Sequence, residues 1–326
     1  MPSFQAQLLS FILRQQFKNG LCQSRSHQAV RRTTQQMPVL CPPTVRVVES
    51  GAPMCGEWLA SEEAPDSRQG MVFYCHGGGY AYGSPRIYRR CTGRLAEYAG
   101  VPVFALDYRL APEHPYPAAL DDAEAAYLSL LEGQSSSTIV MGGDSAGGGL
   151  VLSLLQRLRD RGAPMPAAAF FYSAWTDLAL TGASLEENEA NDELFTWEAI
   201  ARTAGYYVNG VAYTDPNVSP LYGSFTDLPP LHFYASDTEM LRDDTIRTAE
   251  KASAQGVETT LSLQKGLPHV WPLFAPLIPE ALDTLAETGA FIRSTLGLSP
   301  VSTASRTQER KSFSGLMAAD PQRAAH

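Results

Sequence analysis

Two rhythms of apolar and polar residues run along this chain. Short, nearly unbroken apolar runs stand at 71–75, 102–106, 138–141, 167–172 and 231–235, and runs of that length suit strands buried on both faces. Between and after them lie longer segments whose apolar positions recur three and four residues apart, at 84–100, 117–131, 146–161, 241–255 and 280–296; that spacing predicts helices. Gly100 and Gly256 stand where two of these helices should stop. The stretches 44–48 and 54–60 read as paired strands ahead of the first buried run, and 257–263 as the last strand. Strands alternating with helices predict a mostly parallel sheet with helices on both faces.

Three segments fall outside the alternation. Residues 177–225 carry helical pieces between two strands; Glu186, Glu187, Glu189, Asp192 and Glu193 make the stretch acidic, and Tyr206, Tyr207, Tyr213 and Tyr222 make it aromatic. At the other extreme, no acidic residue precedes Glu49, whereas Arg14, Lys18, Arg25, Arg31, Arg32 and Arg46 are basic. Leu8, Leu9, Ile12, Leu13 and Phe17 fall at helical spacing within that basic segment. A basic amphipathic helix can lie on an anionic membrane or cover an apolar pocket mouth of its own protein; the second reading is carried forward, with the acidic insertion as the other half of a lid. After Gly297 the chain turns small and polar, which predicts a disordered tail.

Composition narrows the function classes. With 326 residues, 44% hydrophobic and 18% charged, the chain is ordinary globular protein, and its net charge of −9 argues against nucleic acid as a partner. Its apolar runs are far shorter than the roughly 20 residues that span a bilayer, so stable membrane insertion is not expected. The five cysteines (Cys22, Cys41, Cys55, Cys75 and Cys91) are scattered, without a C-x-x-C pair or metal-like cluster, as expected of reduced thiols in a cytoplasmic protein. Arg14 and Lys18 follow the apolar stretch 8–13 instead of preceding it, which is not a secretory layout.

The strongest local signal is Gly143-Asp144-Ser145-Ala146-Gly147, a G-x-S-x-G pattern between a predicted strand and a predicted helix. That strand–turn–helix is the setting of a nucleophile elbow, a turn so sharp that its flanks must be small. A second signal, His76-Gly77-Gly78-Gly79, follows the third predicted strand. Glycines there let main-chain N–H groups converge on one point, as stabilising an oxyanion requires.

A serine nucleophile needs a base, and the base needs an orienting carboxylate. On such a fold the chain order is serine, acid, histidine. His27, His76 and His114 precede Ser145, His326 ends the tail, and His232 sits inside an apolar strand, which leaves His269 as the base. Asp237, Glu239, Asp243 and Asp244 follow the strand at 231–235. The last two begin a helix, where acids commonly serve its N-terminus; position alone leaves Asp237 and Glu239 open.

Together with Asp107-Tyr108-Arg109-Leu110-Ala111-Pro112-Glu113, Ser173-Ala174-Trp175-Thr176-Asp177-Leu178 and Pro268-His269-Val270-Trp271, these motifs resemble the hormone-sensitive-lipase-like esterases, bacterial family IV of the α/β-hydrolases. The likeness covers about residues 40 to 297. It implies an α/β-hydrolase fold with a mostly parallel eight-stranded sheet, short-acyl ester substrates, and neither cofactor nor metal. It implies Gly78, Gly79 and Ala146 as oxyanion donors. The family's acid-x-Leu-x-Asp motif falls on Glu239-Met240-Leu241-Arg242-Asp243, with Glu where Asp is commoner, and this points to Glu239 as the acid. The resulting layout is an N-terminal cap segment at 1–45, a catalytic domain at 46–297 with a cap insertion at about 177–225, and a tail at 298–326. Further expectations concern side chains around the site. Arg109 should form a buried ion pair within its acidic motif, Asp144 should brace the elbow, and Tyr80 and Tyr82 should line the substrate pocket. A homodimer through edge strands fits the same sheet. The rival readings are an amidase, deacylase or acyltransferase using the same serine, and a non-catalytic small-ligand receptor on the same fold.

Overall fold

The computed structural model describes residues 1–18, 24, 26–36, 39–52, 54–62 and 69–300. Cys22, Arg25 and nearly all of the predicted tail lie outside the described residues.

Helix α1 (Phe4–Leu13) starts on Ser3, whose hydroxyl accepts the Ala6 N–H at 3.1 Å; a wider turn at Arg14–Lys18 continues it, and α2 (His27–Gln35) follows. The alternation begins with β1 (Val45–Ser50), β2 (Gly56–Ser61), β3 (Met71–Cys75), α3 (Pro85–Ala99), β4 (Val103–Leu106) and α4 (Ala118–Leu130). It continues with β5 (Ile139–Asp144), α5 (Ser145–Asp160) and β6 (Ala168–Tyr172). Two insertion helices, α6 (Ser184–Glu187) and α7 (Trp197–Tyr207), precede β7 (Leu231–Ser236), α8 (Arg242–Ala254), β8 (Thr259–Gln264) and α9 (Pro279–Thr295). Gly100 ends α3 with φ of 65°, the left-handed stop its lack of a side chain permits.

The sheet has eight strands in the order β1-β2-β4-β3-β5-β6-β7-β8. β1 and β2 run antiparallel to their neighbours, and β4 through β8 pair in parallel. Both faces are covered, which is why the central strands read as unbroken apolar runs. Along β3, Met71, Phe73 and Cys75 join the core beneath α4, α5 and α8, while Val72 and Tyr74 join the core beneath α3 and α9. The edge strands β1 and β8 are half-exposed and alternate instead. Strands in one parallel sense bring the loops after β3, β5, β6, β7 and β8 to one edge, the place where such sheets bind ligands.

β5 runs on to Asp144, past the 138–141 predicted from its apolar run. The glycines that look like turn residues are strand residues: a Cβ on Gly142 would lie 2.1 Å from the Phe170 ring. Arg109 departs from its expected buried ion pair. Its side chain is half-exposed and pairs with Asp122 at 2.7 Å, because its loop runs over the surface beside α4. Glu113, at the other end of that motif, pairs with Arg31 of α2 at 2.7 Å. No helix among the described residues is long and apolar enough to cross a membrane.

Candidate active site

β5 ends at Asp144 and α5 begins at Ser145, with no residue between them. Ser145 takes the strain of this turn, with φ of 50°, and sits at the positive end of α5. Small neighbours are obligatory: a Cβ on Gly147 would stand 2.1 Å from the Cys75 carbonyl oxygen and 2.4 Å from that of His76. The Asp144 carboxylate turns away from the hydroxyl. It accepts hydrogen bonds from the Tyr74 hydroxyl at 2.8 Å, the Gly77 N–H at 2.9 Å and the Tyr88 hydroxyl at 3.1 Å. Burial raises its pKa to about 6 even against those three donors. Asp144 thus ties the turn at Ser145 to the glycine loop after β3.

That loop is braced from behind by His76. Its ring stacks on Tyr108 at 4.4 Å and its Nδ1 donates to the Gly77 carbonyl at 2.7 Å. Burial lowers its pKa to about 4, so the imidazole is neutral and structural. Gly78 and Gly79 have φ of 106° and 62°, backbone that side chains rarely adopt. A Cβ on Gly79 would also lie 2.3 Å from the Thr203 methyl, so α7 presses directly on this loop. Both glycines line the same cavity as Ser145.

Four acids follow β7, and one reaches a histidine. Glu239 is buried; its Oε2 accepts the His269 Nδ1–H at 2.6 Å and its Oε1 the Ser236 N–H at 2.8 Å. Asp237 instead accepts the Gly266 N–H at 2.8 Å, holding the loop ahead of His269. Asp243 accepts from the Ser184 N–H at 2.9 Å, and Asp244 from Thr176 and Asp177 N–H groups at 2.8 and 2.7 Å, so both bind neighbouring loops. Burial opposes the charged form of His269, but the hydrogen bond and charge of Glu239, with Asp192 and Asp144 behind it, raise its pKa overall. The second ring nitrogen, Nε2, is buried and makes no hydrogen bond among the described residues. Ser145 and His269 therefore share one cavity wall without a closed bond between them. Such bonds are commonly long in empty sites and tighten around the substrate.

The cavity has a volume of about 650 Å³ and is mainly apolar. Phe17 and Val30 from the N-terminal segment and Ile200 from α7 form part of its wall. The basic segment and the acidic insertion do meet there, through main-chain oxygens: Arg14 donates to the Asn191 carbonyl at 2.6 Å, and Lys18 to that of Asp192 at 2.9 Å. Tyr82 lines the cavity. Tyr80, expected beside it, does not: with φ of 59° it turns inward, is buried, and stacks on Tyr207 at 3.7 Å.

Three insertion residues at the site carry no sequence signal of their role. Asp192 is fully buried and accepts the Met240 N–H at 2.8 Å, Asn188 donates to the Glu239 carbonyl at 2.9 Å, and the Phe195 ring meets His269 edge-on at 4.9 Å. Asp192 reads in the sequence only as one of a run of acids.

A family model described as alpha/beta hydrolase fold matches residues 72–273. An acetyl-hydrolase of Streptomyces hygroscopicus is 40% identical over 227 residues, covering 69% of this chain and 76% of that protein. An esterase of Acinetobacter venetianus is 35% identical over 71% of this chain and 77% of its own length. A crystal structure of an esterase from the bacterial hormone-sensitive lipase family superposes with a TM-score of 0.84 at 35% identity, covering 91% of this chain and 99% of that one. The chain belongs to the hormone-sensitive-lipase-like esterases. A crystal structure of the esterase EstE5 soaked with p-nitrophenyl butyrate superposes with a TM-score of 0.86 at 33% identity, covering 90% of this esterase and 99% of that chain.

Proposed function

We propose that this esterase hydrolyses short-acyl carboxylic esters, with Ser145 as nucleophile, His269 as general base and Glu239 as the carboxylate that orients it. The observation that carries the reading is the 2.6 Å bond from His269 Nδ1 to Glu239, on a ring that shares its cavity wall with Ser145. That bond fixes the tautomer, leaving Nε2 as the proton acceptor. Nε2 takes the Ser145 proton as Oγ attacks the ester carbonyl. The carbonyl π pair moves onto oxygen, and the N–H groups of Gly78, Gly79 and Ala146 receive the resulting oxyanion. In support, the Gly78 and Gly79 N–H groups donate to no other described residue. Collapse expels the alcohol, which takes the proton back from Nε2, and leaves an acyl-enzyme. Water, deprotonated by the same nitrogen, then releases the acid and restores Ser145.

The acetyl-hydrolase among the relatives and the butyrate-soaked neighbour support small acyl groups. We read residues 1–45 and about 177–225 as one cap over the cavity. Ser145→Ala should lower kcat for p-nitrophenyl butyrate by about 10⁴–10⁶ while the protein stays folded; near-wild-type hydrolysis by that variant would overturn the assignment. Product analysis with an added alcohol separates hydrolysis from acyl transfer.

A further inference from the structure

Helix α3 carries four arginines, and three have partners. Arg86 donates to the Gln35 carbonyl at 3.0 Å, Arg89 forks onto Glu57 at 2.8 and 2.6 Å, and Arg94 lies 3.9 Å from Glu97. Arg90 is the exception. It stands half-buried in the wall of the cavity that holds Ser145 and His269, and among the described residues it has neither a hydrogen bond nor an ion pair. Burial and the like charge of Arg94 lower its pKa. The guanidinium is only partly withdrawn from water and open to the cavity, and its planar fork of donors fits a carboxylate.

The rest of the wall does not supply that carboxylate. Among the described residues Asp144 is the acid that lines the cavity, and its oxygens are already held by Tyr74, Gly77 and Tyr88. Arg202, the other cation in the wall, lies 3.8 Å from Glu198. The N-terminal segment over the cavity brings no acid, since none precedes Glu49. Much of the wall is aliphatic or aromatic, and Ile87 stands one turn before Arg90 on α3. At about 650 Å³ the cavity matches pockets for drug-sized ligands, roughly 300–1,000 Å³, and exceeds what a butyryl ester needs.

We propose that Arg90 binds a carboxylate carried by the substrate and joined to the scissile ester through an apolar spacer. The proposal rests on the ester-hydrolase reading above and adds a substrate class to it. Hydrolysis by the wild type, Arg90→Gln and Arg90→Met is compared on two matched pairs. In one the charge is on the acyl side, mono-p-nitrophenyl suberate against p-nitrophenyl octanoate. In the other it is on the alcohol side, 6-acetoxyhexanoate against hexyl acetate. The quantity read is kcat/KM for the charged ester divided by kcat/KM for its neutral partner. A charge-assisted pair in an apolar cavity should make that ratio at least about tenfold higher in the wild type than in either variant, for at least one pair. Added salt should lower the ratio in the wild type alone. Equal ratios in wild type and variants for both pairs overturn the proposal. Methionine keeps the apolar stem, so it decides if glutamine fails to fold. Failure of the parent reading looks different: Ser145→Ala would then leave p-nitrophenyl butyrate hydrolysis intact.

Discussion

Asp192, in the insertion between β6 and β7, accepts the main-chain N–H of Met240 at 2.8 Å, one residue beyond Glu239. Its other oxygen accepts from Leu194 and Phe195 at 2.8 and 2.9 Å, and the Phe195 ring rests against His269. One buried carboxylate thus sets the position of the acid-bearing turn and of the ring that flanks the imidazole.

Asp192→Asn tests this link. Removing the charge takes away one of the groups that raise the His269 pKa. A base must be neutral to act, so the acid limb of kcat/KM should move to lower pH, while kcat falls on the order of 10–100-fold through misplacement. A variant that only loses stability would keep the wild-type limb.

Glu239 and Asp237 separate in the same assay. Glu239→Gln should lower kcat by about 10³–10⁴, the loss seen where the orienting carboxylate of a serine hydrolase is neutralised. Asp237→Ala removes an acceptor for the Gly266 N–H and should cost far less. The reverse order of losses would move the acid to Asp237.

Asp144 should leave a signature in stability against pH. Its pKa is about 6 in the folded protein, above the ordinary aspartate value of 3.8. Between those two values the folded state holds a proton that the unfolded chain has lost, so rising pH destabilises the fold across that window. Above about pH 6 the full cost, up to about 3 kcal/mol, is in place. Asp144→Asn removes this term and keeps acceptors for Tyr74 and Gly77. In paired urea titrations the variant should gain on the wild type between pH 4 and 6 and hold a constant lead above; parallel curves throughout would refute the buried ionisation.

Gly147→Ala places a methyl against two main-chain oxygens that cannot move aside. It should destabilise the protein by about 3 kcal/mol or more and lower the thermal midpoint. An unchanged midpoint would mean that the turn at Ser145 has more room than its geometry shows.

Much of this was legible in the chain. Strands buried on both faces leave unbroken apolar runs, so β3, β6 and β7 could be read closely, whereas β5 was read short because the ring of Phe170 demands glycine at a strand position. His269 emerged by elimination. Glu239 needed a motif, because its bond to His269 spans a turn whose shape no spacing reveals. Asp192 had no signal at all: its partner lies 48 positions away, and burial turned a member of an acidic run into a main-chain acceptor. Arg109 shows the opposite case, since Glu113 of its own motif is taken by Arg31 while Asp122 on α4 comes within reach.

The first helix is moored at the far end of the fold. Ser3 gives its N–H and its hydroxyl to the two carboxylate oxygens of Glu280, at 2.6 and 2.9 Å, in the first turn of α9. The helix that leads to Phe17 in the cavity wall is therefore fastened to a helix that follows His269 in the chain, so loosening the Ser3–Glu280 clasp would reach the cavity from outside it.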